Sequence, residues 1–442
     1  MFTESRKYLL SLIAAEVSAL SRYFDRIHYV PGTSEDDGLL MDQIDCPQKQ
    51  SVISVDALPE LSGDESSREL VVLNGCLNHS FDIQADLIRV HRSLKRGSRV
   101  ITVLYNPYMR WVFSLASILG GVRGRLPSTF ITQAGLANLA NLSGFEIIRI
   151  RNAAYFPFRL LGLGTLINRL MPAIPLLRWL GLSTLAVLRP VTPAIQHRPS
   201  LSVIIPARNE AGNLEHCLKT LSSLEDVDVE VIFVEGHSKD NTWDEIQRLS
   251  QEPQWSRYQI QGFQQTGKGK KDAVELGFSH ASKDLFTILD ADATMPPRLL
   301  HRFYEAYCEN RADFINGSRL VYPMEDAAMR FLNHLGNIFF AKALKWVPGA
   351  PISDSLCGTK LLSRHDYQRI LAWKRDFGDF DPLGDFQLLF PAAQLGMGTV
   401  DIPIRYEARM YGETNISRFR HGLMLLKMTS IGFWKIRMGA GD

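Results

Sequence analysis

The chain is poor in cysteine and has no excess of charge, and both absences narrow what it can be. Its five cysteines, Cys46, Cys76, Cys217, Cys308 and Cys357, are scattered and never form a C-x-x-C pair. Neither a disulfide framework nor a zinc cluster is expected, and a reduced cytoplasmic setting is the simplest one. Lys and Arg number 49 against 47 Asp and Glu, a formal net charge of +2. Nucleic-acid binding calls for a clear basic excess or stripe and is not expected. Long hydrophobic runs are also missing. The most apolar stretch, Tyr155–Leu188, is interrupted by Arg159, Arg169 and Arg178, so no uncharged window reaches the roughly 18–20 residues that span a bilayer. It can lie on a membrane but not cross one. The N-terminus shows no charged leader, apolar run and small-residue cleavage site in series, so no signal peptide is expected.

What is present belongs to a folded protein. A hydrophobic content of 45% with 22% charged residues is globular, and 442 residues suggest two or three domains. A connector with prolines at 190, 193 and 199 divides the chain, giving expected domains at 1–190 and 201–442 with a linker at 191–200. In the second half, Leu201–Pro206, Val229–Val234 and Leu285–Leu289 are short apolar runs of buried-strand type. They alternate with helical patterns at Asn213–Leu224, Trp243–Leu249 and Ala273–His280. Such alternation predicts an α/β domain with a mainly parallel sheet. Ligands bind beyond the carboxyl ends of such strands, which here carry Ala207–Glu210, Glu235–Asn241 and Asp290–Thr294.

The most informative of these is Asp290-Ala291-Asp292. Residues i and i+2 of an extended chain point the same way, so both carboxylates can reach one divalent cation. Mg²⁺ or Mn²⁺ suits such oxygen ligands and leaves positions for substrate phosphates. After the first strand, Pro206, Arg208 and Glu210 can take a base or ribose edge, and Glu235 and Asp240 follow the second strand. Asp240 by itself is the more ordinary residue, of a type that caps helices. Gly262–Lys268 matches the first seven positions of a phosphate-binding P-loop, but Gly269 stands where Ser or Thr should hold the metal. A flexible loop with Lys268 and Lys270 near a diphosphate is the better reading.

The segments LSVIIPARNEAGNL, VEGHSKDNTWDEI, KGKKDAVELGF, LDADAT, NGSRLVYP, DSLCGTKLL and GDFQLLFPAAQLGMGTVDIPIRYEARMYGETNI fall in series over Leu201–Ile416. Together they resemble family 2 glycosyltransferases of GT-A fold, especially the dolichol- or polyprenyl-phosphate sugar transferase branch. The resemblance implies inversion by in-line displacement of a nucleoside diphosphate, with Asp290 and Asp292 at the metal and donor. It places Arg208, Glu210 and Glu235 around the nucleotide, Arg409 near the diphosphate, and Arg319 and Arg330 at an acceptor phosphate. Thr294 stands where that branch often has Gln, and Glu235 where Asp is more usual. A phosphate acceptor is already anionic, whereas a sugar hydroxyl needs a general base, for which Asp385 is the candidate. The expected activity is hexose transfer from a UDP- or GDP-sugar to a lipid-linked phosphate at the cytoplasmic membrane face. Transfer to a saccharide hydroxyl and a non-catalytic scaffold are the alternatives. Apolar-and-basic helical patterns at Met329–Trp346 and Gly422–Met438 suit interfacial helices, although packing on the sheet would use the same pattern.

In the first half, Glu69–Leu73, Arg99–Tyr105 and Gly144–Ile148 read as strands and Asp82–Leu94 as a helix. Leu94–Arg99 and Leu142–Phe145 resemble class I methyltransferases, which implies a smaller Rossmann-like α/β domain. The Gly-rich turn that would hold S-adenosylmethionine is missing, since Tyr29-Val30-Pro31-Gly32 is no substitute; Asn74, Asn78 and His79 suggest a remnant pocket, but ordinary loop polarity is the better reading of them. The purified chain is expected to transfer no methyl group; incorporation of label from methyl-labelled S-adenosylmethionine would contradict this.

Overall fold

A computed structural model describes residues 2–33, 36–61, 67–118, 127–224, 226–319, 321–322, 342–343, 353–379, 381, 384–405, 407, 411 and 418–437. The chain forms two compact units. One comprises Met1–Thr192, Gln394–Gly396 and Trp434–Asp442, the other Pro193–Ala393 and Met397–Phe433.

The first unit is built on a six-stranded sheet: β1 (Arg26–Pro31), β2 (Gln48–Ser51), β3 (Glu69–Asn74), β4 (Arg99–Tyr105), β5 (Phe145–Ala153) and β6 (Ser183–Pro190). Their order is β2-β1-β3-β4-β6-β5, parallel from β2 to β4, with β6 antiparallel to both neighbours. Strand alternation divides β3 between two cores. Leu70 and Val72 face one core, with Ile13, Ala14, Val17 and Leu20 of the Phe2–Ser21 helix. Val71 and Leu73 face the other, with Leu87 and Val90 of the Ile83–Ser93 helix. That helix starts where Asp82 accepts the Ala85 N–H at 3.0 Å, an N-cap.

Side chains from β1, β3 and the loop after β1 bond one another. Tyr29 donates to Asp36, and Asn74 donates to both, at 2.7–2.9 Å. Asn78 is fully buried and braces two loops, donating to the Thr129 carbonyl and accepting the Tyr105 N–H.

The second unit is a seven-stranded sheet of order β13-β11-β12-β10-β7-β8-β9. Its strands are β7 (Leu201–Ala207), β8 (Val229–Glu235), β9 (Ile260–Gln264), β10 (Leu285–Ile288), β11 (Phe314–Ser318), β12 (Lys360–Ser363) and β13 (Thr399–Pro403). Only β12 runs against its neighbours, so the α/β class and mainly parallel sheet expected from the sequence are present. The apolar run of β7 is continuous because both of its faces are covered. Leu201, Val203 and Ile205 join one core, while Ile204 lies under Gly277 of the Lys270–His280 helix, where a Cβ would come within 2.5 Å of it.

One expectation is corrected. Residues 260–264 are not part of a flexible glycine loop but the edge strand β9, parallel to β8. Gly262 is there for close approach: a Cβ would fall 2.5 Å from Ile246 of the Thr242–Gln251 helix. The loop proper is 265–269, and Lys270 is the first residue of the helix that follows.

Among the described residues no helix is long and apolar enough to cross a membrane. In the Arg418–Gly432 helix, Leu425 and Met428 are buried while Leu423 and Leu426 are exposed, as is Trp434 beyond it. Residues 329–346, except Lys342 and Ala343, lie outside the described residues.

Candidate active site

Strand registry brings the three polar loops to one edge. Ala207 pairs with Glu235, and Ile204 pairs with Ile288 on the other side. β10 is anchored by Phe286, stacked on Phe278 with centroids 5.3 Å apart. The Leu289 N–H still bonds to the Ile204 carbonyl at 2.9 Å. The chain then leaves the sheet in a turn with Ala293 at φ +52°, and the half-buried Asp290 and Asp292 emerge from it. Asp292 accepts the Thr294 N–H at 3.1 Å and the Thr294 hydroxyl at 2.8 Å. Thr294 therefore aims Asp292.

Around Asp290 the charges alternate. Lys270, at the start of its helix, donates to Asp290 Oδ1. The backbone of Gly358 closes over this pair: a Cβ there would lie 2.2 Å from Asp290 Oδ2 and 2.3 Å from Lys270 Nζ and would push the pair aside. Lys360 enters on β12 with its side chain wholly buried, donating to Asp385 Oδ1 and to the Cys357 carbonyl, each at 2.5 Å. Arg319 grips Asp354 through Nε at 2.7 Å and Nη2 at 2.9 Å, and its own N–H bonds the same carboxylate.

These pairs set the protonation states. Burial alone would raise the Asp290 carboxyl, but Lys270, then Lys360 and Arg319, hold it below the usual aspartate range. Burial alone would lower Lys270, yet the surrounding carboxylates of Asp290, Asp385 and Asp292 raise it above the ordinary lysine value. Burial likewise pushes Cys357, next to Gly358, up to about 11. It pushes up to about 12 the thiol of Cys217, which donates to the Ala291 carbonyl at 3.5 Å.

The neighbouring rim is stitched from the loops after β7 and β8. The Gly236 N–H bonds the Ala207 carbonyl, Asn209 accepts the Lys239 N–H, and the Glu210 N–H bonds the Thr242 hydroxyl. Glu210 is buried and accepts from Asn213 at 2.6 Å; Glu235 is buried and accepts the Ser238 N–H. Asp240 bonds Thr242 and Ala211 within the loop, the ordinary bracing role. Pro206 is half-buried, and Arg208 and Lys268 are exposed. The loop 265–269 is pinned by Gly267, whose carbonyl lies 2.9 Å from His237 Nε2 and whose N–H bonds Asp272.

Of the residues singled out in the sequence, Asp290, Asp292, Lys270, Asp385 and Arg319 thus belong to one electrostatic cluster. Pro206, Arg208, Glu210 and Glu235 stand on the adjoining rim. Arg330 and Arg409 lie outside the described residues. Sequence reasoning missed Gly358, Lys360 and Asp354, although the DSLCGTKLL segment that holds two of them within it and opens on Asp354 carried the signal. It also missed Gln265, buried beside Gly236, whose Oε1 has no hydrogen-bond partner among the described residues.

Among the described residues no three His, Cys, Asp or Glu side chains are grouped to hold a metal. The residues that could hold Mg²⁺ or Mn²⁺ are the Asp290–Asp292 pair, with Asp290 held ionised by its neighbours. That fits a hard cation which takes its remaining ligands from phosphate and water.

Residues 202–371 match the family model of Glycosyl transferase family 2, and this part of the chain belongs to that family. A dolichol-phosphate mannosyltransferase of Pyrococcus furiosus is 37% identical over 123 residues, 27% of this chain and 33% of that protein. A dolichyl-phosphate hexose transferase of Haloferax volcanii is 27% identical over 51% of this chain and 91% of its own length. The chain thus spans only a third of the first relative. Glucosyl-3-phosphoglycerate synthase of Mycobacterium tuberculosis, solved with Mn²⁺, UDP and glucosyl-3-phosphoglycerate, is 18% identical with a TM-score of 0.40, over 55% of this chain and 81% of that one.

The Arg319–Asp354 pair gives a test of the cluster. Burial raises Asp354, but Arg319 holds its carboxyl below the ordinary value, so its stabilisation is present above about pH 4 and lost as pH falls through the lowered native pKa. Asp354→Asn should cost about 3–5 kcal/mol by removing the carboxylate that the mostly enclosed Arg319 guanidinium grips. In urea unfolding the gap to wild type should be full at neutral pH and shrink below about pH 4.

Proposed function

We propose that the second unit is an inverting hexosyltransferase that moves one sugar from a UDP- or GDP-sugar to a lipid-linked polyprenyl phosphate, peripherally at the cytoplasmic membrane face. The observation that carries the acceptor assignment is the engagement of Asp385 by the buried ammonium of Lys360. Asp385 acts there as a counterion rather than as a free base. A phosphate-monoester oxygen needs no base, because it is already anionic near neutral pH. The names of the two archaeal relatives agree with a dolichol-phosphate acceptor for those proteins.

In this reading Arg208, Glu210, Glu235 and the amide of Gln265 cradle the nucleoside, with Lys268, Lys270 and Arg409 toward the diphosphate. Arg319 and Arg330 receive the acceptor phosphate; guanidinium forks suit its oxygens, and Asp354 fixes the orientation of Arg319. Asp290 and Asp292 would hold Mg²⁺ or Mn²⁺, which neutralises charge on the departing nucleoside diphosphate. An acceptor phosphate oxygen forms the new bond to the anomeric carbon on one face as the bond to the diphosphate oxygen breaks on the other, and no proton has to be moved.

A thermal-shift panel of nucleoside diphosphates with Mn²⁺ or Mg²⁺ should show a metal-dependent rise for UDP or GDP, and Asp292→Ala should abolish both the rise and sugar transfer to polyprenyl phosphate. No rise with any nucleotide would favour a scaffold protein. Asp385→Asn, with its melting temperature recorded alongside, should change kcat little. A loss on the order of 10²-fold or more in a stable variant would identify a general base and hence a hydroxyl acceptor.

A further inference from the structure

The first unit carries an apolar surface that its own fold does not cover. The Arg110–Ile118 helix exposes Trp111 at 65% and Ile118 at 83%. The segment 160–180 exposes Leu161 completely and Leu176 at 86%, together with Leu163 and Leu166. The two stretches adjoin. Tyr108 meets Trp179 edge-on with centroids 6.1 Å apart, and Asn106 donates to the Trp179 carbonyl at 2.8 Å. Soluble surfaces rarely leave so many large apolar side chains together unless something binds them.

Two further observations say what covers it. From Asn106 to Leu180 the sequence has eight arginines, no lysine and a single carboxylate, Glu146, which is paired with Arg189. Arg169 is exposed among the leucines, and Arg178 lies over the Trp179 ring at 5.5 Å. An apolar surface edged by Trp and Arg, formed by a stretch of chain nearly free of acid, matches the boundary of an anionic bilayer. The backbone also holds Leu160, Leu161 and Gly162 at φ +39°, +53° and +100°. Left-handed backbone is unusual for leucine, and here it projects Leu161 away from the unit's own core.

We infer that this face is a monotopic docking surface for an anionic lipid membrane, with Leu161, Leu176 and Trp111 entering the headgroup–acyl boundary and Arg169 and Arg178 at the phosphates. The inference rests on the peripheral attachment proposed above and assigns it to the first unit instead of the glycosyltransferase domain. Its test needs no sugar transfer. The full chain should co-sediment with phosphatidylglycerol-containing vesicles and much less with pure phosphatidylcholine. Trp111→Ser/Leu161→Ser/Leu176→Ser should weaken that binding at least about tenfold with an unchanged circular-dichroism melt, and the single Leu161→Ser should weaken it in the same direction. Leu423→Ser on the C-terminal helix and Asp292→Ala should bind vesicles as wild type. Wild-type binding to neither vesicle, undiminished binding by the triple variant, or loss only with Leu423→Ser would overturn the assignment. So would a triple variant that shifts the oligomeric state in size-exclusion chromatography while leaving vesicle binding intact. Equal binding to neutral vesicles would overturn the anionic specificity.

Discussion

Carboxylates gathered at one end of a sheet repel one another, and the second unit is arranged around neutralising them. Asp290, Asp292, Asp354 and Asp385 come from three separate stretches of chain, and Lys270, Lys360 and Arg319 are interleaved with them. Two unit charges 4 Å apart interact by about 4 kcal/mol at the effective dielectric of a protein surface, so the cluster would not assemble without its cations. The reversed strand β12 is what introduces Lys360 beneath it. A side chain at position 358 would enter the volume that the Asp290–Lys270 pair fills.

The division of labour between sheet and loops follows from this. β7, β8 and β10 are buried on both faces and register-matched, which fixes the loop roots to within a residue. The loops themselves carry hydrogen-bonding and charged groups on that rigid support, the usual placement of ligand-handling residues. The rim loops are further tied to each other by backbone and side-chain hydrogen bonds, so Arg208 and Glu210 start from a braced position. The first unit has the same layered logic, with Tyr29, Asp36 and Asn74 hydrogen-bonded to one another.

Much of this was legible in the sequence wherever the signal was local. Continuous apolar runs marked β7, β8 and β10, and the Asp290–Asp292 spacing marked the turn that follows. β9 was missed because an edge strand need not be apolar: Gln261 and Gln264 face outward, and Gly262 is read as a loop residue when it is really a packing residue. Gly358, Lys360 and Asp354 were missed as participants for a different reason. Their roles depend on contacts with residues 25 to 90 positions away, which no periodicity encodes. Asp385 was read as a candidate general base, but its counterion could not be read from spacing. The exposed apolar face was visible only as a stretch too interrupted to span a bilayer; which of its side chains turn outward is a property of the fold.

Cys217 lies against the acidic turn, its thiol bonded to the carbonyl between the two aspartates, and burial keeps it protonated at any physiological pH. A protonated, enclosed thiol is a poor nucleophile, so alkylating reagents reach it only when the packing of the Leu214–Thr220 helix against that turn opens. The rate at which Cys217 is labelled therefore reports how often that packing opens. The chain carries a native clock for local motion at the place where its chemistry is concentrated.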